Sequence, residues 1–547
     1  MFPIVIGIVV AAVLVGVAVE ARFSQARLEK RAQGMFGQKP DELSRFDLES
    51  IQSYYEAGGG SGDVDGITWA DIDMDRVFAR INNCATSAGE EYLYMRLHRT
   101  ANGEGQQNSW TETSAYMEAH PDERIAVQKI LYRTGKTYYN HVGGLIFQAK
   151  HKQLKSPWVY RILQLVPVAC LPLAFINMPL GLVLAACAAV LNGAIHYKVD
   201  RRIEHELKAI RYLAAVLWGC GRLLQLKSES VRRFLPGLED AYKKFKPVMK
   251  AMSGMSQNMS TDLDAILIYV RYIFLLDIIR YNRVIKKILQ NQDEIRTLYE
   301  SLGKIDTLVS VLSFRRSLES YAVPQFWDKK GISFRGLYHP LLEGAVANSM
   351  NTEKGCLVTG SNASGKSTFI KAVAVNCILA QAVYTCTAEE FNMAQGNVMT
   401  SMAVKDNIVD GESYFIAEIK SVKRIEEASS AARLCYGFID EILRGTNTVE
   451  RIAASVALLR RLGTQNILCM VATHDVELPE LLDSSYGNYH FSERIENDEV
   501  VFDYKLKDGP STTQNAIRLL GIMGFEKSVV QQAEELAGHY LSNHEWK

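Results

Sequence analysis

The chain has 547 residues, of which 61 are basic and 61 acidic, so its formal net charge is zero. A single core rarely grows past about 250–300 residues, and this length implies two to four domains. Balanced charge excludes a global field that would attract nucleic acid, so any polyanion site has to be local. The nine cysteines show no C-x-x-C pair and no zinc-like Cys/His spacing, and they read as small core residues of a reducing compartment.

Phe2 to Val19 is an uncharged apolar run, close to the roughly 20 residues that cross a bilayer as a helix. Arg22, Arg27, Lys30 and Arg31 follow it rather than precede it, which predicts a retained anchor over 1–21 with the amino terminus outside and the remainder cytoplasmic. Residues 22–66 are polar and end near "GGGSG", a linker composition. From Ile67 to 156 apolar residues recur at threes and fours, as at Val77, Phe78, Ile81, Tyr92, Leu93 and Leu97, which predicts helices. The same period resumes over 198–325. Between them, Ile162 to Ile195 carries no charge. As one helix it would be about 51 Å long, well beyond a hydrocarbon core of about 30 Å. "INMPLG" at Ile176 supplies a turn, so 157–197 reads as a two-helix transmembrane hairpin, with a re-entrant or buried soluble hairpin as the alternatives. Lys150, Lys152 and Lys155 before it and Lys198, Arg201 and Arg202 after it place both ends in the cytoplasm. The apolar stretch from Leu263 to Asn282 includes Asp264, Arg271 and Asp277 and reads as a buried or interfacial helix of a soluble domain.

From 326 to 547 short β-rich runs alternate with helical stretches, the pattern of an α/β layer fold. Gly360 to Ser367 fits G-x-x-x-x-G-K-[ST] between an apolar strand, Cys356 to Thr359, and a helix. In that context Gly360, Ser361, Asn362, Ala363, Ser364, Gly365, Lys366, Ser367 and Thr368 form a phosphate-binding stretch. Lys366 reaches the β and γ phosphates and the Ser367 hydroxyl ligates Mg²⁺. "LCYGFIDE" ends in Asp440 and Glu441, one carboxylate to hold Mg²⁺ and the next to polarise the attacking water; an ordinary helix start is the plainer alternative. "VATHD" places His474 after a further apolar run, where it can meet the γ-phosphate. Ser413, ahead of a helix, is either a phosphate contact or an N-cap.

"GLYHPLLEG" at Gly336, "TGSNASGKSTFIK" at Thr359, "SYFIAEI" at Ser413, "IDEILRGTNT" at Ile439 and "ATHDVELPELL" at Ala472 together resemble the MutS family of ABC-type ATPases. "DMDRVFARINNCATSAGEEYLYMRL" is similar to the start of the family's helical core and lever, and "GFEKSVVQQAEELAGHYL" to its terminal helices. The resemblance implies an α/β P-loop (ABC-type) ATPase domain and an all-helical core/lever domain, to which the apolar runs add transmembrane helices. It also implies ATP and Mg²⁺ as cofactors and a homodimer with composite sites. Asp440 would hold Mg²⁺, Glu441 would be the general base and His474 the γ-phosphate switch. Ser413 would act on the partner's nucleotide, and Thr446 to Thr448 would communicate across the dimer. Ser361 and Ala363 stand where the family loop has proline and methionine, and Glu412 where it has arginine.

The short stretch between the anchor and Ile67 leads us to expect no mismatch-reading domain there, and neither a β-rich clamp insertion nor a carboxy-terminal nuclease domain is expected. Two expectations follow. One is a membrane-anchored, dimeric ATPase coupled to duplex or branched DNA. The other is an ATP-driven transducer that works on membrane lipid or a membrane protein partner without mismatch recognition.

Overall fold

The computed structural model describes the chain apart from residues 1, 61, 101–103, 149–152, 254–269, 362–363, 403–413, 430–432, 483, 497–498, 512–515 and 544–547. It divides into two units, one comprising residues 1–61, 81–95 and 105–317 and the other 62–80, 96–104 and 318–547.

The elements described in the first unit are helices. It opens with one continuous helix, Phe2–Met35. Its spine is Gln292–Arg316, where Leu298, Leu302, Ile305, Leu308 and Leu312 lie on the buried side. At Gly303 an added Cβ would sit 2.5 Å from the Ala88 carbonyl oxygen, so the spine meets the Ser87–His98 helix at a distance that only a hydrogen allows. One turn on, the buried Asp306 carboxylate accepts from the backbone N–H groups of Ala85 (3.0 Å) and Thr86 (2.8 Å) and from the Thr86 hydroxyl (2.6 Å). It satisfies donors that the start of that helix cannot pair internally.

Beside it lies a buried polar layer. Glu90 accepts from Lys136 (2.7 Å) and Asn82 (2.9 Å), and Glu91 accepts from Asn140 (2.7 Å) and Tyr299 (2.7 Å). Burial pushes the Glu91 carboxyl up to about 8 and that of Asp306 to about 6, with the hydrogen bonds pulling the other way.

The apolar region forms Pro157–Cys170, a short turn of helix Leu173–Ile176, and Met178–Arg202. Asn177 makes the reversal: its extended backbone stops one arm, and its side chain accepts from the Leu180 N–H to cap the next. At the tip Phe175 is 94% and Ile176 85% exposed. Near the root Asn192 donates to the carbonyls of Leu163 and Ile273, both at 2.8 Å. Among the described residues three helices are long and apolar enough to cross a membrane: Pro157–Ile176, Met178–Arg202 and Lys366–Val383. In the third, 83% of the most apolar window is buried within the protein, against 6% and 17% in the hairpin arms. Composition is shared by a core helix and a lipid-facing one, and burial separates them. Of the stretch from Leu263, residues 263–269 lie outside those described; the rest runs into Leu276–Gln290, whose Ile278, Tyr281, Val284, Ile285 and Ile288 are buried.

The second unit carries the strands: β1 (Gln325–Trp327), β2 (Ile332–Leu337), β3 (Asn348–Thr352), β4 (Gly355–Thr359), β5 (Glu390–Ala394), β6 (Gly396–Ser401), β7 (Leu434–Asp440), β8 (Ile467–Thr473), β9 (Tyr486–His490), β10 (Glu493–Glu496), β11 (Glu499–Phe502) and β12 (Lys507–Asp508). Six form one sheet in the order β12-β9-β4-β8-β7-β6, parallel except for the β12–β9 edge. Every residue of β8 is buried, as a strand covered on both faces requires. Leu357, Cys435, Ile439, Cys469 and Val471 pack with Val422, Ile425, Val456 and Leu459 from the helices Tyr414–Glu427 and Thr448–Gly463.

Residues 62–80 and 96–104 close the β6 edge. Asp71 accepts from the Thr400 hydroxyl (2.7 Å) and the Met402 N–H (3.0 Å), and Asp63 pairs with Arg433 at 3.0 Å. Asp65 pairs with Arg424, which also donates to the Thr400 carbonyl. A sheet edge left bare is a site for unwanted pairing, and here the Thr400 N–H donates to the Thr68 hydroxyl at 3.2 Å while acidic side chains pair with the groups around it.

Candidate functional site

The site is assembled by strand register. Thr359 of β4 lies opposite Thr473 of β8, and Ala472 of β8 lies opposite Asp440 of β7. Because the three strands are parallel, the segments that follow Thr359, Asp440 and Thr473 leave the sheet at one edge, where ligands of open α/β sheets collect.

After β4 the chain turns through Gly360 (φ 141°) and Gly365 (φ 101°) into the helix Lys366–Val383. A side chain at Gly360 would meet the Phe491 carbonyl at 2.6 Å, so glycine is required twice over, by conformation and by space. The Lys366 ammonium lies across the loop and donates to the carbonyls of Gly360 (2.8 Å) and Ser361 (2.7 Å). Burial pushes its pKa down, while Asp440, Glu441 and Glu493 push back. Ser364 is buried, and its hydroxyl has no hydrogen-bond partner. A buried orphan hydroxyl next to a lysine at a helix start is what a bound anionic group would satisfy.

At the end of β7 the backbone bends abruptly, with Glu441 (φ 57°) and Leu443 (φ 55°) in the left-handed region that L-residues avoid. The Glu441 N–H still donates to the Ala472 carbonyl at 2.9 Å, which holds the bend against β8. Its consequence is that two adjacent carboxylates serve different partners. Asp440 is bonded by the Ser367 hydroxyl, which opposes the upward pull of burial on its pKa. Glu441 pairs with His474 Nε2 and accepts from Arg444 at 2.9 Å. Burial acts to raise the Glu441 pKa, yet the bonds from His474 and Arg444 outweigh it and hold the carboxyl below its ordinary value. His474 Nδ1 is 3.2 Å from the Gly360 carbonyl, so the imidazole bridges loop and carboxylate.

These residues fit a magnesium-bound nucleoside polyphosphate. Lys366, the loop and the helix start would hold phosphates, and Ser367 with Asp440 would hold the cation. Among the described residues there is no separate cluster of three or more metal-ligating side chains.

A family model described as MutS domain V matches residues 356–540. The DNA mismatch repair protein MutS of Pseudothermotoga lettingae is 30% identical over 250 residues, which is 44% of this chain and 30% of that protein. The protein of that name from a Thermotoga species is 27% identical over 274 residues, covering 48% of this chain and 34% of its own length. Over residues 356–540 the chain carries a domain of the MutS family. It spans about a third of the length of the curated relatives it matches.

Domain V is the ATPase domain of MutS-family proteins, and the site occupies it here. Lys366, Ser367, Asp440, Glu441 and His474, expected from motif order, come together in this MutS-type domain. Asn362, Ala363 and Ser413 lie outside the described residues. Thr446 is 3.3 Å from Glu450, and Asn447 caps the Thr448–Gly463 helix through the Glu450 N–H. Thr368 lines a cleft of about 470 Å³ beside the loop, together with Gly365, Lys366 and Glu441.

Sequence reasoning missed the far wall of that cleft. Tyr338, His339, Leu342, Phe491 and Tyr504 line it, an aromatic and apolar surface suited to a flat ring. Burial pushes the His339 imidazole down to about 4, so it is neutral there. The only signal was the "YHP" within the quoted family stretch, to which no role had been attached. Glu493 was missed altogether: it is 5% exposed and accepts from the Ser361 hydroxyl at 2.8 Å.

Proposed function

We propose that this chain is a membrane-tethered MutS-type ATPase that binds Mg²⁺·ATP in the cleft beside Lys366 and hydrolyses it. The observation that carries the reading is the convergence of Lys366, Asp440, Glu441 and His474 from three adjacent parallel strands at one sheet edge. In it Glu441 takes the proton of the attacking water, His474 orients that carboxylate against the Gly360 carbonyl, and Lys366 leaves the loop carbonyls for the phosphates. The bound Mg²⁺ supplies charge neutralisation at the transferred phosphoryl group. The active form is a homodimer with the nucleotide between protomers, as the family relationship suggests.

Steady-state ATP hydrolysis by the detergent-solubilised chain, with and without duplex or branched DNA at stated low salt, tests the reading. Stimulation of severalfold that added salt removes is expected if the curated relatives' DNA role is retained, because phosphate contacts weaken steeply with ionic strength. No hydrolysis in any condition overturns it.

A second reading is favoured by the hairpin that interrupts the helical unit: hydrolysis drives a conformational change against the bilayer or a membrane partner, without mismatch recognition. It expects turnover that responds to lipid and ignores DNA. Both readings seat the hairpin in lipid, and Cys187 reports on this. It is exposed on the Met178–Arg202 arm. In sealed vesicles it is expected to resist a membrane-impermeant maleimide from either side and to react once detergent is added, with Cys187→Ser as the blank. Labelling without detergent would place the arm in water.

A further inference from the structure

Three carboxylates act on the Lys366 ammonium: Asp440, Glu441 and Glu493. Two of them have employment in hydrolysis. Asp440 is bonded to Ser367, and Glu441 to His474 and Arg444. Glu493 has none, yet it is buried beside the amino-terminal half of the loop, at 5% exposure.

It is placed there by a small accessory element. β10 and β11 pair with each other in a two-stranded sheet outside the six-stranded one. The segments flanking the pair press on the loop: the Phe491 carbonyl lies 2.6 Å from where a Gly360 side chain would start, and the Tyr504 ring 3.1 Å from the same point at Gly365. Between those two contacts the Ser361 hydroxyl donates to Glu493 Oε2 at 2.8 Å, while the Ser361 carbonyl accepts from Lys366 at 2.7 Å. Ser361 therefore carries a cation on one side and an anion on the other.

We propose that Glu493 is a specificity-determining residue that weakens the hold of the phosphate loop on polyphosphates in proportion to the charge near Ser361. The inference rests on the nucleotide reading of the site. A carboxylate at this depth is poorly screened by solvent, so its repulsion reaches the loop. Lysine of such a loop meets the β and γ phosphates, whereas the α phosphate sits toward the helix start. Repulsion from Glu493 thus falls most on ATP, less on ADP and least on AMP. The effect is a site that releases nucleotide readily rather than one that stores it.

The test is binding of ATP, ADP and AMP to the full-length protein in detergent by calorimetry, in Mg²⁺, for wild type and for Glu493→Gln and Glu493→Asp. Glutamine keeps an acceptor for Ser361 and removes the charge. It is expected to tighten ATP about fivefold and ADP about threefold and to leave AMP unchanged, a graded response of the size one partly screened charge produces. Aspartate keeps the charge and is expected to restore the wild-type ratio of ATP to AMP affinity. An equal change for all three nucleotides in Glu493→Gln would mean a packing role and overturns the proposal, as does no change in a variant with the wild-type melting temperature. Loss of ATP binding in Lys366→Ala keeps the nucleotide reading standing in those cases. Failure of the wild type to bind any nucleotide overturns both.

Discussion

Glu441→Gln is expected to retain nucleotide binding and to hydrolyse ATP about 10²–10⁴-fold more slowly, the loss typical of a removed general base. The geometry makes this substitution clean. Glutamine can still accept from Arg444 and approach His474, so the left-handed bend after Asp440 and the bond to the Ala472 carbonyl have no reason to change. What disappears is a carboxylate whose pKa the His474 and Arg444 bonds hold below the ordinary value despite burial. Such a group is ionised at neutral pH and ready to take a proton, and its pairing with His474 fixes where it points. Single-turnover hydrolysis beside nucleotide binding separates the two effects. Wild-type turnover in the variant would assign the base elsewhere, and lost binding would mean that the bend had collapsed. His474→Ala is expected to fall between, since it removes only the bridge from Gly360 to the carboxylate.

The second large effect is on stability. Glu91 is buried among Asn140 and Tyr299, with its carboxyl raised to about 8. In the unfolded chain the same group titrates near about 4.3. The folded state therefore binds the proton across that window and the unfolded state does not, so stability is greatest below it and falls as pH rises through it. For one group the decline is about 3–5 kcal/mol. Burial raises Asp306, to about 6, and Glu90 in the same direction, so they add to the slope. Urea unfolding of the helical unit from about pH 5 to 9 is expected to show this descent. Glu91→Gln is expected to flatten it and to make the protein more stable than wild type at the alkaline end. An unchanged slope in that variant would move the titration to another group.

Much of the site was legible before any coordinates. Lys366, Ser367, Asp440, Glu441 and His474 each lie within a few residues of an apolar strand, and motif spacing specifies them locally. Glu493 was not legible, because nothing near it in sequence points to phosphate, and for the Tyr338–His339 wall the stretch "YHP" carries no sign of a ring-binding role. Sheet order brings them in: β9 lies beside β4, so the chain after β9 returns against the loop, where Ser361 and Glu493 meet across 132 positions. The pairing of residues 62–80 with β6 was hidden for the same reason. Its acidic side chains find partners more than 300 residues away, as Asp71 does at Thr400.

"SAGEEYLYMRL" shows the limit from the other side. Its apolar period announces a helix, and Leu93 and Leu97 are buried. Glu90 and Glu91 are equally buried, against the usual preference for solvent, because Lys136, Asn140 and Tyr299 arrive to pair them.

Local order along the chain was therefore enough for the strands, the glycine-rich loop, the acidic strand end and the apolar hairpin, since each depends on spacing over a few residues. Three things depended on the folded arrangement: that Lys366–Val383 is a core helix while the hairpin arms stay uncovered, that Glu441 bends away from Asp440, and that a third acid stands at the loop. Each is a matter of what surrounds a group, and a group's surroundings come from segments distant in the chain.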